Sequence, residues 1–189
     1  PEAEPPEGDA PAAQPTATAA AVPAAPEPEL RDAAYAGATA RVEAALQSGA
    51  GVDAQDGDGR TALMLAAFNG HVSTLSSLLD RGAEPDRRDV AGRTALMYAS
   101  SGPFAEAVLL LLGHGADPNL KDSGEGWTAL MFAAGEGQLE VVEALLRHGA
   151  DAAARDGDGD AAIDHARRRG HGRVVDRLAQ AASPATPSR

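Results

Sequence analysis

Asp156, Asp158 and Asp160 alternate with glycine, the spacing at which the first three carboxylates of a calcium-binding loop close on one ion. That loop also needs glycine at its sixth position and a bidentate glutamate at its twelfth; here those positions hold Ala161 and Arg167. The same window opened at Asp56 meets Arg60, Thr61 and Ala67 and fails likewise. Both stretches read as Asp/Gly turn tips. The five histidines fall in a pattern of their own. His71 and His171 each follow a glycine, and His114 and His148 each precede a Gly-Ala step, so four of them recur in phase. Recurrence in phase points to helix capping and turn hydrogen bonds, whereas a catalytic site needs unlike groups to converge. His165 stands apart beside Asp164, and adjacent residues of a helix point to different faces. There is no cysteine, no phosphate-binding glycine loop and no H-E-x-x-H, so no catalytic, metal or cofactor residue is expected.

The elements that position these residues must be built from small side chains. Of 189 residues 44 are alanine, and only six are aromatic. Such a chain cannot rest on one aromatic core; it needs many close contacts between repeated helices. The net charge of −12 disfavours nucleic acid as a partner, and no apolar run is long enough for a membrane span. Residues 1–29 carry six acidic residues, no Lys or Arg, and eight of the thirteen prolines. Residues 1–27 are expected to be a disordered acidic Pro/Ala tether and 183–189 a second disordered tail. A chain opening on Pro1 fits a processed terminus, with an exported, periplasmic location or, alternatively, a cytoplasmic one.

Between the tails the chain repeats itself. Arg60-TALMLAA-Phe68, Arg93-TALMYAS-Ser101 and Trp127-TALMFAA-Gly135 place threonine at 61, 94 and 128, spacings of 33 and 34. All three methionines, Met64, Met97 and Met131, share one repeat position, which reads as inter-repeat packing. The frame extends forward to Ala161 and back to Pro28, making five repeats at about 28–60, 61–93, 94–127, 128–160 and 161–182. Each reads as two short helices. In the second repeat Leu63, Ala66 and Ala67 form one apolar face, Asn69-Gly70 a stop, and Val72, Leu75, Leu78 and Leu79 a second face. Turns such as Asp56-GDG-Arg60 and Asp122-SGEG-Trp127 separate the repeats, the latter one residue longer.

This pattern, G-x-T-A-L-M-x-A-A followed by glycine, an L-L helix and G-A-D, resembles the ankyrin repeat over about 155 residues. Alanine replaces the usual proline after threonine, methionine the usual histidine, and Pro103 the inter-helix glycine of the third repeat. The resemblance implies an all-α solenoid of five helix-turn-helix repeats, with Gly/Asp-rich turns or β-hairpin fingers between them. It implies a non-enzymatic, monomeric module that binds a protein partner on its concave face. By repeat position that face takes Tyr35, Asp58, Arg60, Phe68, Asn69, Arg88, Arg93, Ser101, Lys121, Glu125, Trp127, Glu136, Arg155, Asp158, Asp160, Arg168 and Arg169. Trp127 is expected there as an exposed hot spot, or else packed on its own turn or on Arg93.

Two other readings stand beside this one. The tether and the TALM-type repeats look like small exported bacterial ankyrin proteins tied to oxidative-stress defence, which would protect or activate a partner enzyme or hold calcium. Alternatively the acidic tail folds back on Arg60, Arg88 and Arg93, or on the C-terminal cluster Arg167–Arg177.

Overall fold

The computed structural model describes residues 26–182; the expected tail 183–189 and all but the last two residues of the expected tether lie outside them. Ten helices follow in order: α1 (Pro26–Tyr35), α2 (Thr39–Gln47), α3 (Ala62–Phe68), α4 (Val72–Asp80), α5 (Ala95–Ser100), α6 (Ala105–Gly113), α7 (Ala129–Gly135), α8 (Leu139–Arg147), α9 (Ala162–Arg168) and α10 (Gly172–Ala182). Odd-numbered helices stack as an inner layer and even-numbered helices as an outer one, each touching its counterpart in the next repeat. Helix α1 begins at Pro26, two residues earlier than the expected repeat boundary. Proline suits a first helical turn, because its missing N–H would have no partner there.

Every alanine of the recurring columns (Ala33, Ala34, Ala66, Ala67, Ala99, Ala133, Ala134 and Ala166) is fully buried between inner helices. Side chains this small let neighbouring inner helices approach closely. Leu78, Leu111 and Leu145 fill the space behind them. None of these helices exceeds 11 residues, so stacking rather than propensity holds them.

The threonine and methionine columns turn out to be one device. Thr61 Oγ1 accepts the Met64 N–H at 3.3 Å, while Met64 Sδ accepts the Thr61 N–H at 3.5 Å. Thr128 and Met131 repeat the pair at 3.4 Å each way. This is a capping box with a thioether in the acceptor's place. The methionines are also buried between repeats, as expected.

The third repeat is the irregular one. There Thr94 Oγ1 and Ser100 Oγ are buried without a partner, and the other full repeats carry alanine (Ala67, Ala134) where Ser100 sits. A buried, unpaired hydroxyl is costly. Ser100→Ala is therefore expected to stabilise the protein by about 1 kcal/mol, read as a raised urea midpoint at unchanged slope. An unchanged or lowered midpoint would mean that the hydroxyl has found an acceptor.

Candidate functional site

In the three inner helices capped by threonine, α3, α5 and α7, the residues one, two, three, five and six places after it are buried, as Ala62, Leu63, Met64, Ala66 and Ala67 illustrate. Positions four and seven lie one turn apart and form the outward stripe. Position four holds Asp32, Leu65, Tyr98, Phe132 and His165, and position seven holds Tyr35, Phe68, Ser101, Gly135 and Arg168, of which His165 and Gly135 are covered. The stripe faces away from the outer helices. Tyr35 is 51% and Phe68 47% exposed, and the Phe68 ring meets Tyr98 edge-on at 6.1 Å.

Turn fingers border this stripe, and one aspartate builds each of them. Asp56 Oδ1 accepts the N–H groups of Asp58 and Arg60 at 2.9 and 2.8 Å. Asp89, Asp122 and Asp156 do the same for their own turns. Single backbone bonds then link finger to finger: Val90 N–H to Asp58 O, Ser123 N–H to Ala91 O and Gly157 N–H to Glu125 O, at 3.0, 2.8 and 2.7 Å. Among the described residues these fingers form no β-hairpin strands, only an isolated bridge between Arg155 and Ala161. The β-hairpin alternative is thereby replaced by Asp-closed turns, because a carboxylate takes the N–H groups that a facing strand would have taken.

In three of the four aspartates the second oxygen takes a different donor. Arg60 Nε reaches Asp56 at 2.9 Å, Tyr98 Oη reaches Asp89 at 2.7 Å, and His165 Nε2 reaches Asp156 at 2.7 Å. Burial would raise the Asp56 and Asp156 carboxyls, but these donors and the turn N–H groups outweigh it and hold both below the usual range. The Tyr98 phenol is pushed up to about 12, by burial first and then by its bond to the Asp89 carboxylate. His165 is buried, and Arg168 donates to its Nδ1 at 2.9 Å, so its proton sits on Nε2 and points at Asp156. Asp164 instead accepts the Ala161 N–H, on another face from His165 as expected. Asp156 and Asp160 thus serve the turn, His165 and Arg168, and among the described residues no three acidic or histidine side chains converge on a metal-sized point.

The in-phase histidines divide by role. His114 and His148 cap their helices through Nδ1 on Leu110 O and Ala144 O, at 2.8 and 2.9 Å. His71 and His171 do not cap their own helices; they bind the carbonyls of Tyr35 and Gly135 in the preceding repeat, at 3.0 and 2.9 Å.

A family model for ankyrin repeats, in three copies, matches residues 30–122 and again residues 104–187. The chain belongs to the ankyrin-repeat family. No curated protein matches it closely enough to count as a relative. Ankyrin repeats are generally protein-interaction modules, and the array has the family's all-helical solenoid.

The array treats the anticipated face residues unequally. Arg60 is tied to Asp56 and Asp58, Arg168 to Asp160, and Arg169 to Glu136. Lys121 donates to Arg155 O, Arg155 to Gly159 O, and Asn69 to Tyr35 O. Ser101 turns inward to Met97 O. Arg88 and Arg93 are exposed and make no ion pair among the described residues, and Asp158 and Glu125 are exposed as well. Trp127 departs from its expected exposure. It is half-buried, packed edge-on against Phe132 at 5.1 Å and His165 at 4.4 Å, with its Nε1 buried and unpartnered. The longer third turn leans the indole over the next repeat, where His165 waits. Trp127, Phe132, Arg93, Asp122, Glu125, Gly124 and Ala91 line a groove of about 320 Å³. Sequence reasoning passed over Tyr98 and Phe132 as members of this face; their position-four register was the available signal.

Proposed function

We propose that the array is a non-enzymatic binding module whose inner face and turn tips take a protein partner. The observation that carries this reading is where the aromatic residues lie. Of the six in the chain, Tyr35, Phe68, Tyr98, Trp127 and Phe132 lie on the inner stripe or its bordering turn, and no aromatic belongs to the fully buried core. The core is alanine, leucine, methionine and valine throughout. Aromatic side chains with arginine beside them are what interface hot spots are made of. Here Arg88 and Arg93 supply the uncommitted cations. The remaining anticipated residues, among them Asp58, Glu125, Asp158 and Glu136, form the polar rim in this reading.

The test compares the immobilised wild type with Phe68→Ala/Arg93→Glu, since neither side chain supports the fold. A protein retained by the first should be lost from the second, with affinity down by about a hundredfold and melting unchanged. Equal retention would move the binding surface to the outer helices.

A further inference from the structure

Stripe, groove and free cations together describe a surface for one kind of ligand. Rings aligned across successive repeats make an aromatic-lined groove, which suits proline-rich extended chain because its backbone is already ordered and its rings stack flat. Arg93 lines it and Arg88, five residues earlier in the chain, adds a second exposed guanidinium, so the surface calls for carboxylates. Asp122 and Glu125 also line the groove and repel them, which sets an order along the ligand: acidic residues at the arginines, prolines and alanines over Tyr35 and Phe68, toward α1. The chain carries such a segment itself. Residues 1–25 hold Glu2, Glu4, Glu7 and Asp9, six prolines and no Lys or Arg.

We propose that residues 1–25 dock in cis along the aromatic stripe, with the cluster Glu2–Asp9 at Arg88 and Arg93. The segment is thus the groove's resident occupant, which a partner must displace. It lies outside the described residues, but its point of attachment suits this path. Helix α1 starts at Pro26 and is itself the first inner helix, so the point of attachment is the N-terminal end of the inner layer. Neighbouring helices pack about 8–10 Å apart, which puts the Trp127 groove about 30 Å from α1. Twenty-five residues at about 3.1 Å each reach more than twice that distance. Several other cations are already committed: Arg60 holds two carboxylates, and Arg167, Arg168 and Arg169 are paired with Asp164, Asp160 and Glu136.

The absence of cysteine makes the test direct, since Ala3→Cys accepts one nitroxide label on the full chain. At low salt the label should broaden the amide signals of Arg93, Gly124 and Phe132 by about half or more and spare Leu109 on the outer layer. High salt, or Arg88→Ala/Arg93→Ala, should restore them. Absent broadening, or broadening that is uniform over both layers, overturns the proposal. So does broadening in a mixture of spin-labelled and isotope-labelled chains, which would assign the groove to a second copy's segment. The inference goes beyond the partner-binding reading and fails separately from it. A partner still lost from Phe68→Ala/Arg93→Glu while the label broadens nothing would remove the cis segment and leave the binding face.

Discussion

Gly70→Ala is expected to destabilise the array by about 3 kcal/mol, one of the two largest effects of any single change considered. Gly70 ends the inner helix of the second repeat with φ +69°, in the left-handed region that L side chains adopt at a cost. That strain accounts for about 1 kcal/mol. The larger share comes from the next repeat. A Cβ at Gly70 would overlap the Phe104 ring, which lies flat on the glycine. The same arrangement recurs where His71 covers Gly37 and His171 covers Gly137, each with a ring atom 2.6 Å from the position of an added Cβ. Ring and glycine belong together: where Pro103 replaces the glycine, the following repeat carries Gln138 and no ring. Gly82→Ala separates the two contributions, since φ there is +85° but no atom lies within 4 Å of the added carbon. Urea unfolding should show Gly82→Ala costing about 1 kcal/mol, the backbone share alone. Equal losses at both sites would mean that the Phe104 ring is not seated on Gly70.

Trp127→Ala is expected to cost about 3 kcal/mol, although the residue sits on a turn. Its indole closes the space between Phe132 and the buried His165–Asp156 pair. Removing it would leave a cavity and admit water to a hydrogen bond that fastens the fourth finger to α9. Trp127→Phe should cost less than about 1 kcal/mol, because a ring is kept and a buried N–H without an acceptor is deleted. The check is a pair of denaturation curves. Near-neutral behaviour of the alanine variant would return Trp127 to the exposed role its sequence position suggested. This contrast is also why Phe68 and Arg93 serve better as probes of binding, for they can be changed without loosening a finger.

Much of this fold was legible in the sequence. The phase of Thr61, Thr94 and Thr128, and the alanine and leucine columns locked to it, located the helix pairs correctly. The reason is physical: in a stacked array each repeat meets the same neighbour geometry, so the same side-chain volume is demanded every 33 residues. The site was legible in part. Tyr35 and Phe68 were placed by register, and both are exposed. The recurring turn aspartates were visible as well, but not that each closes its own finger through one oxygen, nor that Asp89 and Asp156 offer the other to a helix donor.

What the sequence determined by itself, then, is whatever repeats: the helix pairs of the solenoid and the small-residue core between them. Tertiary structure alone decided what breaks the repeat. Arg60 is neutralised within its own turn while Arg93, one repeat later, pairs with no carboxylate among the described residues, because Asp89 takes the Tyr98 hydroxyl where Asp56 takes the Arg60 guanidinium. Trp127 is half-buried because a turn one residue longer lays it across to His165, a residue of the next repeat. Such outcomes depend on how far one side chain reaches toward one particular neighbour. Periodicity carries no information about that; distance and direction do.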